Sequence, residues 1–542
     1  MSADPGSDAT RKTSLQSRLF HARGLWLAMT LVAMYVALVP LHTQDGANHR
    51  QVAVLLERLI SAETQDPVYE PNLGVLRTNV LFSGGYALAA AKVGISIHCY
   101  ERLFVGAFLV LLLVGYRGFL AEWIPRRADL WVWILPVTTH ALFVTGMYNF
   151  LAATALALPL LTLLKRLRDD PSAKTLAAMC ALAWLAFLAH PFPFFVLPAA
   201  WLWLASGRPE RPEAYMWIGG GVLVGFLLLG FVLPMAASTS PSNPYAFKPP
   251  LELLAGLVYY NFLSFSPWAL LAAVPALVAA VAMAWMTFRN GDRRGRLLWL
   301  GMLVAYFLFP NEGYGGAHLN ERFLPFLWIF LPLGLYGVGA GHLSWTRWIR
   351  GTAVASTVLM AAALWAGLKR VDREVRDAAA VLSELPDQAR LYPLEFDPGG
   401  SSLTGGPLLH LWANHPTDRT VHSAFSFTFM DLMPVSRRIP SSDAYFPAAP
   451  ENHAQGLAEG RFCRPRDPVS TPNCSLQERD AWVVLMSAAR YYDYWFAHGA
   501  PTRWRQAIDE ISGLNLVAEV GRASLWRYDR SQGFSPKLRS TP

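Results

Sequence analysis

The chain has 542 residues, of which 53% are hydrophobic and only 15% charged, against roughly a quarter charged in an average soluble domain. That balance excludes a wholly water-soluble protein. The formal net charge of +8 does not point to nucleic acid, because the Lys and Arg residues stand in short clusters between apolar runs, where orientation in a bilayer accounts for them.

Charge is not spread evenly. Residues 1–370 carry repeated apolar runs of sixteen residues or more and read as a transmembrane domain, whereas 371–530 read as a water-soluble domain and 531–542 as a disordered tail. The first run, Leu25 to Leu41, follows Arg11, Lys12, Arg18 and Arg23 and continues into TQDGANH with no small-residue cleavage site, so it reads as an uncleaved first helix. The stretch LHTQDGANHR then sets Asp45 and His49 just outside that helix. Ionisable groups at the bilayer edge are costly unless used or paired. A solvated loop start explains them equally well at this point.

The long first loop, 42–100, continues with QVAVLLERLI, an amphipathic stretch with its apolar side on the membrane. It then offers Glu70 in VYEPNL as a second carboxylate. The segment 79–93 is short and holds a Gly pair and Lys92. If it spanned, the later basic clusters would face out, against the excess of cations expected in cytoplasmic loops, so it is laid on the outer surface.

Eleven spans then follow, at about 25–41, 101–116, 129–145, 148–165, 175–190, 192–206, 216–236, 267–288, 297–310, 323–340 and 351–368. Each basic cluster falls inside. The outer face receives the first loop, the turn TGMYNF with Tyr148 and Asn149, the turn AHPFP with His190, and the loop PNEGYGGAHLNER with Glu312, Tyr314, His318, Glu321 and Arg322. Polar residues at such turns often only satisfy freed backbone groups, yet their shared face keeps His49, Tyr148, Asn149, His190, His318 and Glu321 as cavity-lining candidates. Arg322 opens a span; it either snorkels to the interface or grips a phosphate.

An odd number of spans puts the C-terminal part outside. Its runs RLYPLEF, AWVVLMS and ASLWRYD read as strands and PTRWRQAIDEIS as a helix, giving a small α/β domain. Cys463 and Cys474, in a Pro-rich polar stretch, suit a disulfide loop in an oxidising compartment, in keeping with that topology.

The ordered set resembles the GT-C class of polytopic glycosyltransferases, which includes the protein O-mannosyltransferases and the aminoarabinose transferases of lipid A. What carries the resemblance is the Asp after the first span, the long outer loop, the basic turn after the second span, GMYNF, ERFLPF before a late span, and the outer C-terminal domain. It implies an enzyme of the cytoplasmic membrane that takes a sugar from a polyprenyl-phosphate donor to an acceptor glycan, lipid or protein at the outer face. It further implies Asp45 as the catalytic acidic residue, Glu70 as a second acid and Arg322 as the cation facing the lipid phosphate. Several members have adjacent acidic residues at the first-loop site; here Gly46 follows Asp45, so a divalent metal is left open. A lipid-linked-sugar flippase and a non-catalytic cell-surface assembly protein are the alternatives, although no internal repeat of the kind transporters carry is visible.

Overall fold

The computed structural model describes residues 42–61, 69–73, 77–139, 145–206, 214–232, 245–262, 268–311, 318–336, 343–397, 410–423, 435–437, 492–500 and 513–532, with a few isolated positions besides. The expected first span is described only at Trp26, Met29 and Thr30, and Glu312, Tyr314, Cys463 and Cys474 lie outside the described residues.

The protein is a polytopic helical membrane protein. Among the described residues four helices are long and apolar enough to cross a bilayer: Ile97–Trp123, Tyr148–Asp169, Trp268–Arg289 and Trp345–Leu382. Shorter apolar helices, among them Ala173–Ala189, Pro193–Ala205 and Gly295–Leu308, pack with them. Among the described residues three expected spans depart from regular α-helix: 216–236 turns π-helical over Leu228–Val232, and proline is the reason in the other two. Residues Pro125–Thr139 wind as a 3-10 helix around Pro136. The run after Arg322 is broken into Asn320–Phe323, Leu324–Phe330 and Leu331–Leu335, with Pro325 and Pro332 at the joints.

Each missing proline N–H leaves a carbonyl to be met elsewhere. In an α-helix Pro332 would have donated to the carbonyl of Trp328, which instead accepts from the Trp133 indole at 3.2 Å. In a 3-10 helix Pro136 would have donated to the carbonyl of Trp133, which accepts from the Trp328 indole at 2.8 Å. The two rings stack at 4.4 Å and 9°, so one aromatic pair closes both breaks. Ser356 does similar work beside Pro275, its hydroxyl donating to the Ala272 carbonyl at 2.7 Å and accepting from the Ala276 N–H at 3.1 Å.

The last helix, Leu343–Leu382, has 40 residues, about 60 Å of α-helix and twice the apolar thickness of a bilayer. The boundary expected at residue 370 falls inside it. Its far end carries a five-stranded mixed sheet. Taking strands in chain order, β2 (Ala389–Glu395), β3 (Val421–Ser423), β5 (Tyr494–His498), β6 (Leu514–Val520) and β7 (Ala523–Tyr528) lie in the order β3-β2-β5-β7-β6, with β3, β2 and β5 parallel and β7 antiparallel to β5. Two expected strands, RLYPLEF and ASLWRYD, coincide with β2 and β7; AWVVLMS lies outside the described residues.

Candidate active site

The first loop is packed into the molecule at its start. It forms α1 (Gly46–Ile60), whose opening residues Gly46 to Arg50 are all buried. Gly46 has no room for a side chain, since a Cβ there would stand 2.6 Å from the Tyr148 hydroxyl oxygen. Asp45 precedes it, its backbone N–H donating to the Thr145 carbonyl at 2.8 Å and its carbonyl accepting from His49 at 2.9 Å. Asp at this place in a helix usually turns its carboxylate back onto the first-turn N–H groups; Asp45 makes no such side-chain cap. Its carboxylate instead stands 3.4 Å from Nε2 of His410, a residue from the sheet side of the molecule.

Beneath Asp45 lies a network that no sequence motif announced. Glu101, at the start of the helix Ile97–Trp123, is 2% exposed. It accepts from Nη1 of Arg50 at 2.9 and 3.0 Å through its two oxygens and from the Tyr148 hydroxyl at 2.6 Å. The Thr43 hydroxyl completes the set at 2.9 Å from Tyr148. Nη2 of Arg50 reaches Asn414 at 2.9 Å, so the buried pair ties first loop, bundle and C-terminal segment together. The one signal in the sequence was an ionisable residue at the mouth of a span.

Arg322 approaches from the opposite loop. Its Nη1 stands 2.9 Å from Nε2 of His190, and its guanidinium lies 5.8 Å from the Phe150 ring centroid. Burial pushes Arg322 down to about 10, while the charges of Glu321 and Asp45 act the other way; it stays a cation at neutral pH. The influence of Asp45 on Arg322 and on His49 brings the first-loop and late-loop residues into one electrostatic group. A guanidinium only donates, so Nε2 of His190 must accept; the Phe192 N–H meets the other ring nitrogen at 3.0 Å. A neutral imidazole has one acceptor nitrogen, so it can serve only one of these donors fully.

The remaining candidates separate by role. His49 is buried against Tyr148 and Phe82, with ring centroids 5.8 and 6.2 Å away, and burial above all lowers it to about 4. Asn149 uses both ends of its amide on backbone, accepting from Phe82 at 2.9 Å and donating to Asn79 at 3.0 Å, which holds the start of the helix Leu81–Val93. Glu321 is completely buried between Lys248 and His318, the latter at 2.6 Å. Burial raises its carboxyl, but hydrogen bonds and charges from His318 and Lys248 outweigh that and hold it below the usual carboxylate value. This trio braces the turn that presents Arg322. Glu70 stands exposed on β1 (Tyr69–Pro71), opposite Ser436 of β4 (Val435–Arg437). Among the described residues no group of three or more His, Cys, Asp or Glu side chains is placed to hold a metal ion.

An apolar cleft opens beside the group, lined by Phe104, Phe108, Val137, Tyr148, Leu151 and Pro325 among others. Tyr148 belongs to both cleft and polar network.

No protein-family model and no curated protein matches the sequence. Its three-dimensional likeness is to GT-C class glycosyltransferases, the class whose fold the sequence resemblance implied. The structure of ArnT from Cupriavidus metallidurans bound to undecaprenyl phosphate matches 94% of this chain and 99% of that one, at TM-score 0.51 and 12% identity. The arabinofuranosyltransferase AftD from Mycobacteria also gives TM-score 0.51, at 14% identity over 94% of this chain, which spans only 40% of the AftD chain.

Proposed function

We propose that the protein is a membrane glycosyltransferase that moves a sugar from a polyprenyl-phosphate donor to an acceptor hydroxyl at the outer face of the cytoplasmic membrane. The observation that carries this reading is the Asp45 carboxylate, which forgoes the usual cap of its own helix and stands in the electrostatic reach of a buried Arg322. A base and a cation brought together beside an apolar cleft fit the chemistry. The isoprenoid chain of the donor occupies the cleft, and its phosphate displaces His190 as the partner of Arg322, since an anion accepts more strongly than a neutral imidazole.

In the reaction the acceptor oxygen forms a bond to the anomeric carbon while its proton passes to Asp45. The bond from that carbon to the phosphate oxygen breaks, and its electron pair leaves on the lipid phosphate beside Arg322. Glu70, exposed on β1, is the second acid of the same loop in this reading. In this reading the chain crosses the membrane eleven times, and residues 371–530 form an extracytoplasmic domain; the chain's likeness to ArnT, which was solved with undecaprenyl phosphate, supports the lipid donor.

The test is turnover of undecaprenyl-phosphate pentoses and hexoses, read as undecaprenyl phosphate released in acceptor-containing membranes. Asp45→Asn should lower the rate about 10²- to 10⁴-fold while undecaprenyl phosphate still binds. Arg322→Ala should weaken that binding. Wild-type turnover by Asp45→Asn, or unchanged binding by Arg322→Ala, would overturn the respective role.

A further inference from the structure

The segment between β2 and β3 has no catalytic signature in the sequence, yet it delivers an imidazole to Asp45. His410 is nine-tenths buried, and its Nε2 lies 3.4 Å from the Asp45 carboxylate. The 3-10 turn Leu411–Asn414, directly after it in the chain, is fastened in place. Its Asn414 side chain accepts from Arg50, and the carbonyls of Ala413 and His415 accept from the Gln51 amide at 3.0 and 3.3 Å. The Trp412 N–H points at the Glu395 carboxylate at the end of β2, at 3.4 Å. The turn therefore docks on the same helix whose first residues come after Asp45, and carboxylate and imidazole are fixed relative to each other by one rigid element.

Asp45 needs such a fixture. Both of its backbone groups are committed, the N–H to Thr145 and the carbonyl to His49. The usual restraint on an N-cap carboxylate, a bond to its own helix, is missing. Without another partner the carboxylate turns about two side-chain bonds, and a base held in many orientations is a poor base.

We propose that His410 is a positioning residue for Asp45, so that the C-terminal segment completes the reaction centre built by the membrane domain. The inference rests on the glycosyltransferase reading above. It makes docking of the 410–415 turn on α1 a condition for turnover and not for lipid binding.

The experiment compares His410→Leu, His410→Gln and Asp45→Asn, and the double variant Asp45→Asn with His410→Leu, in the full-length protein. Turnover is measured with the undecaprenyl-phosphate sugar that the wild type uses, and binding with undecaprenyl phosphate alone. His410→Leu should lower kcat about 10- to 100-fold with binding unchanged. His410→Gln, which keeps a side-chain donor, should recover most of the loss. The double variant should be no slower than Asp45→Asn, because a residue acting through another adds nothing once that one is gone. Wild-type kcat in His410→Leu overturns the proposal if Asp45→Asn is inactive; so does a double variant that loses the full product of both effects. An Asp45→Asn enzyme as active as wild type overturns the underlying reading instead. If His410→Leu loses lipid binding together with turnover, and His410→Gln restores neither, the residue is a structural support and the proposal fails.

Discussion

Glu101 and Arg50 show how much one buried contact can decide. With side chains 3% and 8% exposed, neither group is hydrated, and each is tolerable only because of the other. Replacing both by well-packed apolar residues is often neutral, whereas removing one strands the other charge at a cost of about 3–5 kcal/mol. Glu101→Gln is accordingly expected to lower the melting temperature of the detergent-solubilised protein and to loosen the 410–415 turn through Arg50 and Asn414. Protease susceptibility of that turn reads the second effect, and unchanged melting would contradict the first.

Two imidazoles at the same junction set a pH dependence. Burial above all holds His49 at about 4, with Asp45 opposing and His410 adding. Burial likewise holds His415 at about 4, with a backbone bond at Pro416 opposing and Arg58 and Arg419 adding. Both folded values lie below the ordinary 6.5, so between about pH 6.5 and 4 the unfolded chain binds more protons. Stability therefore rises with pH through that window and is lost on acidification. Melting should fall between pH 7 and pH 4.5, and His415→Asn should flatten the slope; a pH-independent melt would refute the assignment.

At the scale of elements, proline organises the bundle. Pro136 and Pro332 break two helices where neither could be left open in lipid, and the stacked Trp133–Trp328 pair meets both orphaned carbonyls. Trp328→Phe keeps an aromatic ring but loses the indole donor, leaving the Trp133 carbonyl unmet. The expected cost is about 1–3 kcal/mol, larger than for the same change at the exposed Trp285. Equal thermal shifts for Trp328→Phe and Trp285→Phe would count against this role of the indole.

For the whole molecule, the long helix Leu343–Leu382 sets the design. It enters the bundle beside Trp268–Asn290 and continues into the sheet, where Asp372 pairs with His42 at 2.9 Å and Glu374 with His498 at 2.9 Å. The first loop is further joined to the C-terminal part by a separate two-stranded pairing, β1 antiparallel to β4, and by Arg58, which donates to the Thr417 carbonyl between β2 and β3. Loop and sheet consequently share one end of the bundle. Alkaline phosphatase fused after residue 532 should be active in intact cells, and a fluorescent-protein fusion at the same point dark. The reverse pattern would invert the proposed orientation.

By itself the sequence determined the membrane class, most of the helical runs and strands β2 and β7, and it singled out Asp45 and Arg322 as the residues to watch. These are legible because apolar run length, alternation and the cost of charge at a bilayer edge are local properties. Only the tertiary structure decided which partners those residues have. His410 is 365 positions from Asp45, Glu101 is 51 from Arg50, and Trp328 is 195 from Trp133. Such contacts are set by how helices pack and where a proline leaves a carbonyl open, and no periodicity along the chain records them. For the same reason Asn149 and Glu321, candidates by position, sit in backbone and ion-pair bonds that brace the site, whereas the carboxylate of Asp45 is turned toward His410.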